Sequence, residues 1–308
     1  MNAIQIRGLT KIFGTKQAIA GLNMTVPVGS IYGFIGENGS GKSTTEKIIC
    51  GLIHLNGGEV KLFGKDYTDI DVRASVGVLI EAPGCYPNYS VWNNLMLQAT
   101  NLSLPNKEEA VRKVLTTVRM EGSASNKYKN CSLGMKQRIG IAMALLGEPK
   151  LLVLDEPING LDADGMRIMR EVLIDITKKH NCTVLVSSHI LGELEKIATH
   201  YGIIRGGKMI VEMTAEELEK DCPTFVALKT KDMKKAKEVL AYKYSKVLED
   251  EQKEYLRVYD AKNAEEVVLY LYNNQIIVNE IKTDKIGLEE YYINLMKNKG
   301  ENQNGNKV

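Results

Sequence analysis

The chain has 308 residues, 44% hydrophobic and 25% charged, with a formal net charge of +2. That length suits one domain of about 200 residues plus a smaller one. The near-neutral balance excludes both the basic footprint of a nucleic-acid binder and the polar excess of a disordered chain.

Strand-like and helix-like stretches alternate through the first two thirds. Strands are expected at Ala3 to Arg7, Ser30 to Ile35, Val60 to Phe63, Val76 to Ile80, Leu151 to Asp155 and Thr183 to Ser187. Helices are expected at Lys42 to Leu52, Val91 to Leu102, Lys107 to Met120, Met135 to Leu146, Ala163 to Lys179 and Ile190 to Ala198. Nearly continuous apolar strands such as LLVLD and TVLVSS, separated by helices, indicate a buried parallel sheet in an α/β core. A charged helix ending near Lys220 to Pro223 reads as a linker, which bounds a first domain of residues 1–220. Beyond it, residues 224–298 read β-α-β-β-α-β plus a last helix, Leu288 to Met296, the order of a small α+β, ferredoxin-like unit. Residues 299–308 are expected to form a disordered tail.

The longest apolar runs, such as Ile139 to Leu146, fall short of the roughly 18 residues of a membrane span. The opening MNAIQIRGLTK lacks the apolar block of a signal peptide. Five cysteines without a C-x-x-C pair read as reduced thiols. A cytoplasmic setting is the expectation.

Two motifs carry chemistry. GENGSGKST follows the strand ending at Ile35 and opens a helix, in the pattern G-x-x-x-x-G-K-[ST]. Glycines in such a loop let backbone N–H groups converge on phosphate oxygens, and the helix N-terminus adds partial positive charge. Gly36, Asn38, Gly39, Ser40, Gly41, Lys42, Ser43 and Thr44 are therefore candidate nucleotide contacts, with Lys42 reaching the β/γ-phosphates and Ser43 ligating Mg²⁺. LLVLDEP then places Asp155 and Glu156 at the end of an apolar strand, where a parallel sheet delivers side chains to the crevice at its carboxyl edge. There Asp155 would hold Mg²⁺ through water and Glu156 would polarise the attacking water as general base.

With these motifs on one chain, residues 1 to about 217 resemble an ABC ATPase cassette, a P-loop NTPase with a helical subdomain at about 82–145. The resemblance implies further roles. His189, after SSH, is similar to the switch histidine that contacts the γ-phosphate. Asp162, in NGLDAD, is similar to the D-loop acid that meets the partner subunit's site. Phe13 sits where the family stacks an aromatic on adenine. Cys131-Ser132-Leu133-Gly134-Met135 stands for the LSGGQ signature, so Ser132 and Gly134 are candidates for the γ-phosphate held by another copy, with Leu133 replacing a glycine. Glu81 replaces the glutamine that links Mg²⁺ to the permease, which adds a harder oxygen ligand but also a negative charge.

Glu81 and the SLGMKQR stretch together resemble the ATPases of bacitracin and lantibiotic export or immunity systems. The resemblance implies an ATP- and Mg²⁺-dependent hydrolase that pairs with a second ATPase chain, expected to be identical. It implies a separate membrane permease as partner, a place at the cytoplasmic face of the membrane, and no nucleic-acid partner. A general exporter of drugs, lipids or polysaccharide is the broader alternative. A non-transport regulatory ATPase fits less well, since the chain shows neither two cassettes nor a long heptad insertion.

Overall fold

A computed structural model of the chain describes residues 1–250 and 254–304, with side chains as far as Lys297. The chain divides into two units, Met1–Ala215 and Glu216–Val308. The division falls ahead of the linker expected near Lys220 to Pro223.

In the first unit β1 (Asn2–Phe13), β2 (Lys16–Pro27), β3 (Ile31–Ile35) and α1 (Lys42–Ile49) come first. They are followed by β4 (Gly57–Leu62), β5 (Lys65–Asp66), α2 (Ile70–Ala74) and β6 (Val76–Leu79). Next come α3 (Val91–Asn101), α4 (Lys107–Thr117), α5 (Leu133–Leu145), β7 (Leu151–Asp155), α6 (Ala163–His180), β8 (Thr183–Ser188), α7 (Leu191–Leu194), β9 (His200–Arg205) and β10 (Lys208–Thr214). One sheet runs β10-β9-β3-β8-β7-β6 and an antiparallel one runs β2-β1-β4-β5. Within the six-stranded sheet, β3 is parallel to both β8 and β9, and β7 is parallel to β6 and β8. Every residue of β3 and β8 is buried, as are Leu151 to Leu154 of β7. That accounts for their unbroken apolar sequences, since a strand covered on both faces has no polar side to alternate with.

The parallel sheet thus forms where the apolar runs predicted it, but four strands exceed that reading, one of them the two-residue β5. β2 is the long antiparallel partner of β1. β9 and β10 form a hairpin whose turn is Gly206-Gly207, both at positive φ, the conformation that tight hairpin turns demand. The helix expected over Ile190 to Ala198 reduces to the single turn α7, after which residues 195–197 form turns ahead of β9.

Side-chain caps start the helices near the chemistry. Ser90 accepts from the Asn93 N–H at α3, Ser132 from the Met135 N–H at α5, and Asp162 from the Gly165 N–H at α6. Such caps satisfy N–H groups that have no intrahelical acceptor. α6 also carries Lys178, Lys179 and His180 in its last turn, where cations meet the negative end of the helix dipole. α3, α4 and α5 pack on one another as a helical subdomain.

The second unit holds α8 (Ala215–Asp221, which begins at the boundary), β11 (Thr224–Thr230), α9 (Met233–Ala241), β12 (Val247–Asp250), β13 (Tyr255–Val258), α10 (Ala264–Asn273), β14 (Val278–Lys285) and α11 (Leu288–Asn304). Its sheet order is β12-β13-β11-β14 with every pairing antiparallel, which inserts β13 between β11 and β12 as a split β-α-β unit. Val226, Leu228, Ala236, Leu240, Leu256 and Leu271 are among its core. α11 continues as backbone to Asn304, past the expected start of the tail at 299, and 305–308 lie outside the described residues.

Candidate nucleotide site

The phosphate loop links β3 to α1. Gly36 tolerates no side chain, since a Cβ there would lie 2.5 Å from Ser40 Oγ and 2.6 Å from the Ile204 carbonyl oxygen. Gly41 adopts φ 113° and passes directly into α1, whose N-terminus has no side-chain cap. The first N–H groups of that helix are thus left for an anion. Lys42 is buried, and its ammonium donates to the carbonyl oxygens of Gly36 at 2.6 Å and Glu37 at 3.3 Å, so the charge is folded into the loop.

Asp155 ends β7 and Ser187 stands opposite it on β8 in the parallel register. Ser187 Oγ donates to Asp155 Oδ1 at 2.8 Å, and Ser43 Oγ donates to Asp155 Oδ2 at 3.2 Å. Both carboxylate oxygens are therefore fixed, one by the sheet and one by the phosphate loop. Glu156 follows with φ 52°, in the left-handed region that bulky residues rarely adopt. Its backbone N–H donates to Ser187 Oγ at 3.2 Å, which holds the turn. The turned side chain reaches His189, whose Nδ1 lies 2.7 Å from Glu156 Oε2.

Phe13, Lys16, Ala18, Asn38, Gly39, Gly41, Lys42, Ser43, Thr44, Asp155 and Glu156 line one cavity of about 320 Å³. Phe13 is half exposed there, with the Lys11 ammonium 4.9 Å from its ring centroid. The cavity has the apolar lip, phosphate cradle and acids that a nucleotide needs.

Other expected residues stand apart from that lining. Glu81 leaves β6 at φ 66° and pairs with Lys47 of α1 at 3.0 Å, instead of joining Ser43 and Asp155. Ser132 and Asp162 serve as helix caps. Gly134 lies against Leu161, at 3.5 Å for a Cβ placed on it, and Leu133 reaches toward Gly160, so the signature turn packs on the NGLDAD loop of the same chain.

Mg²⁺ fits this donor set. Mg²⁺ favours one or two carboxylates together with phosphate oxygens and water over an all-protein cage. Ser43 and Asp155 supply such a partial set, and among the described residues no cluster of three or more His, Cys, Asp and Glu side chains forms a cage.

Lys16, Lys47, Ser187 and Glu46 were not singled out by sequence. Glu46 is the least expected: it is fully buried on α1, and neither carboxylate oxygen has a hydrogen-bond partner of proper distance and angle. Burial, then the nearby Asp155 charge, pushes its carboxyl up to about 8. Its signal in the sequence was a lone acid on the helix face that also carries Thr45, Ile48 and Ile49, all buried.

A phosphate cradle at the edge of a parallel sheet, closed by a strand-end Asp-Glu pair, defines a P-loop nucleoside triphosphatase. Residues 19–159 match the ABC transporter family, and the chain belongs to that family as an ATP-hydrolysing member. It is 35% identical over 297 residues to the bacitracin transport ATP-binding protein BcrA of Bacillus licheniformis, covering 95% of this chain and 97% of that one. It is 39% identical over 209 residues to the lantibiotic transport ATP-binding protein SrtF of Streptococcus pyogenes, covering 68% and 90%. Among solved structures, cbiO1 of Clostridium perfringens, part of the ABC transporter complex cbiONQ, superposes with a TM-score of 0.66 at 25% identity, covering 70% and 90%. Among the described residues, no helix is long and apolar enough to cross a membrane.

Proposed function

We propose that the chain is the motor subunit of an exporter, in which two copies close around two ATP–Mg²⁺ and so move a separate membrane permease from its cytoplasmic side. The observation that carries this reading is the 2.7 Å contact between Glu156 and His189, beside the cavity where Ser43 and Asp155 already meet. In this reading the Lys42 ammonium exchanges its loop carbonyls for the β/γ-phosphate oxygens, and Phe13 stacks on the base. Mg²⁺ would be held by Ser43 and Asp155, and it would supply charge neutralisation at the phosphates. Glu156 takes the proton of the attacking water, and His189 fixes the orientation of the Glu156 carboxylate. Ser132, Gly134 and Asp162, outside the cavity of their own chain, serve the nucleotide bound by the other copy.

The exported compound is, in this proposal, a membrane-acting peptide antibiotic. The support is the similarity to proteins named for bacitracin and lantibiotic transport. Growth in bacitracin and in lantibiotics, with the operon intact, deleted, or carrying Glu156→Gln, tests it. Deletion and Glu156→Gln should both lower the inhibitory concentration of at least one such peptide. Unchanged inhibitory concentrations, with another compound retained in the cell, would reject the substrate while leaving the hydrolase in place.

A further inference from the structure

Ser132 and Asp162 cap two different helices, α5 and α6, and the turns that carry them lock together twice. Leu133, the residue after Ser132, lays its Cδ2 over Gly160, where an added Cβ would come within 2.9 Å of it. Leu161, the residue before Asp162, lays its Cδ2 over Gly134, 3.5 Å from the place of a Cβ there. Each leucine thus fills the space left by the missing side chain of the other turn. Gly160 also sits at φ 73°, so a larger residue would be strained there as well as crowded.

The loop that bears Gly160 and Leu161 is a firm support. The Asn159 N–H donates to the Glu156 carbonyl at 3.2 Å, the Leu161 N–H donates to the Ile158 carbonyl at 3.4 Å, and Ile158 is fully buried. The signature turn lies more open, with Ser132 exposed and Leu133 49% exposed. Among the described residues no hydrogen bond joins residues 132–134 to residues 159–162. The register of one turn on the other is therefore set by shape, through close contacts that are individually weak and specific only together.

We propose that Leu133 and Leu161 are positioning residues for the nucleotide of the other copy: their crossed leucine–glycine contacts hold Ser132 and Gly134 in fixed relation to Asp162, so that one chain presents these groups to its partner as a single rigid edge. The leucine that replaces a glycine in the signature turn thereby exchanges backbone freedom for a lateral lock. The inference rests on the proposed reading that Ser132, Gly134 and Asp162 serve the nucleotide of the other copy.

Mixed dimers separate positioning from folding. They are made from two differently tagged full chains, purified through both tags, with Glu156→Gln on one chain so that only the other hydrolyses. Single-turnover hydrolysis of bound ATP, started with Mg²⁺, is the readout. With Leu133→Ala on the Glu156→Gln chain, the working site receives the altered turn. Its rate should fall at least about tenfold below that of the mixed dimer without Leu133→Ala, since a misplacement of about 1 Å costs up to about a hundredfold. With Leu133→Ala on the hydrolysing chain, the working site receives an intact turn, and this arrangement should run at least about fivefold faster than the first. Leu161→Ala should show the same asymmetry. Leu133→Met refills the space over Gly160 and should recover most of the loss. Equal losses in the two arrangements, as a folding defect would give, overturn the proposal, and so does the absence of loss in either. Ser132→Ala in the same two arrangements tests the underlying reading by itself. If Ser132→Ala shows no asymmetry, the sites are not shared between copies; if it does and Leu133→Ala does not, the positioning role alone is rejected.

Discussion

Lys47 Nζ stands 3.0 Å from Glu81 Oε1, so the helix that springs from the phosphate loop is pinned to the residue leaving β6 in a left-handed turn. The two side chains are 35% and 73% exposed, so the pair contributes little to stability, at most about 1 kcal/mol. Its consequence is competition, because the Glu81 oxygen held by Lys47 is not available to a metal. Lys47→Met should therefore lower the Mg²⁺ concentration for half-maximal hydrolysis by about two- to fivefold, the equivalent of up to ~1 kcal/mol. Glu81→Gln should raise it. A Mg²⁺ titration of ATPase activity checks both, and an unmoved midpoint in the two variants removes Glu81 from the metal site.

Glu156→Gln should reduce turnover at least about a hundredfold, as expected for loss of a general base, while ATP still binds. The variant should accumulate as an ATP-bound dimer on size exclusion. His189→Ala should lose less, since it orients the base and takes no proton in this scheme. Near-normal turnover in Glu156→Gln would assign the base elsewhere.

Stability should depend on pH through Glu46. Its carboxyl is raised from 4.5 to about 8, so between those values the folded chain keeps a proton that the unfolded chain has released. A state that binds more protons loses ground as pH rises. Unfolding free energy should thus fall from about pH 5 to about pH 8 and level off above. Glu46→Gln cannot titrate, and its advantage over wild type should grow by on the order of 2 kcal/mol between about pH 6 and pH 8. Urea denaturation at both values measures this, and parallel behaviour of the two chains would show Glu46 already ionised at neutral pH.

In the second unit Arg257 is nearly buried and pairs with Asp250 and Glu290, while its guanidinium lies 4.8 Å from the Phe225 ring centroid. Those partners hold the guanidinium charged, its pKa raised despite burial. Arg257→Leu strips Asp250 of its counter-charge in a site that is only 13% exposed. A loss of about 3 to 5 kcal/mol is expected for the unit, the scale of breaking a buried pair from one side. A thermal transition shifted by less than that of an exposed-lysine control would contradict it.

The segment from about Ala82 to Met120, beginning with the Pro83 to Pro87 loop, is expected to receive the cytoplasmic helix of the proposed permease. Asn94 is buried and grips both backbone polar groups of Tyr86, with Oδ1 accepting the Tyr86 N–H at 2.7 Å and Nδ2 donating to the Tyr86 carbonyl at 3.2 Å. That presents the Tyr86 ring, 56% exposed and packed on Tyr89, outward. Tyr86→Ala should uncouple transport from hydrolysis, leaving basal ATPase within about twofold because the loop backbone stays anchored. Permease crosslinks confined to residues beyond Pro223 would place the docking surface elsewhere.

The amino-acid sequence by itself determined what is local. A phosphate loop is a backbone conformation written in glycines and a lysine, and LLVLDEP encodes a buried strand that ends in two acids. Short-range pattern therefore located Gly36 to Thr44, Asp155 and Glu156, along with the order of strands and helices that carries them. Only the tertiary structure decided which of these side chains meet. The parallel register of β7 and β8 sets Asp155 opposite Ser187 and, through the turn at Glu156, brings His189 within 2.7 Å. Packing of α1 against β7 buries Glu46 behind that pair, while Lys47, one residue along the same helix, is rotated outward to Glu81. Helical rotation of about 100° per residue separates those two fates. The sequence shows only an acid and a base side by side, because which face a helix turns inward is fixed by the sheet it packs on.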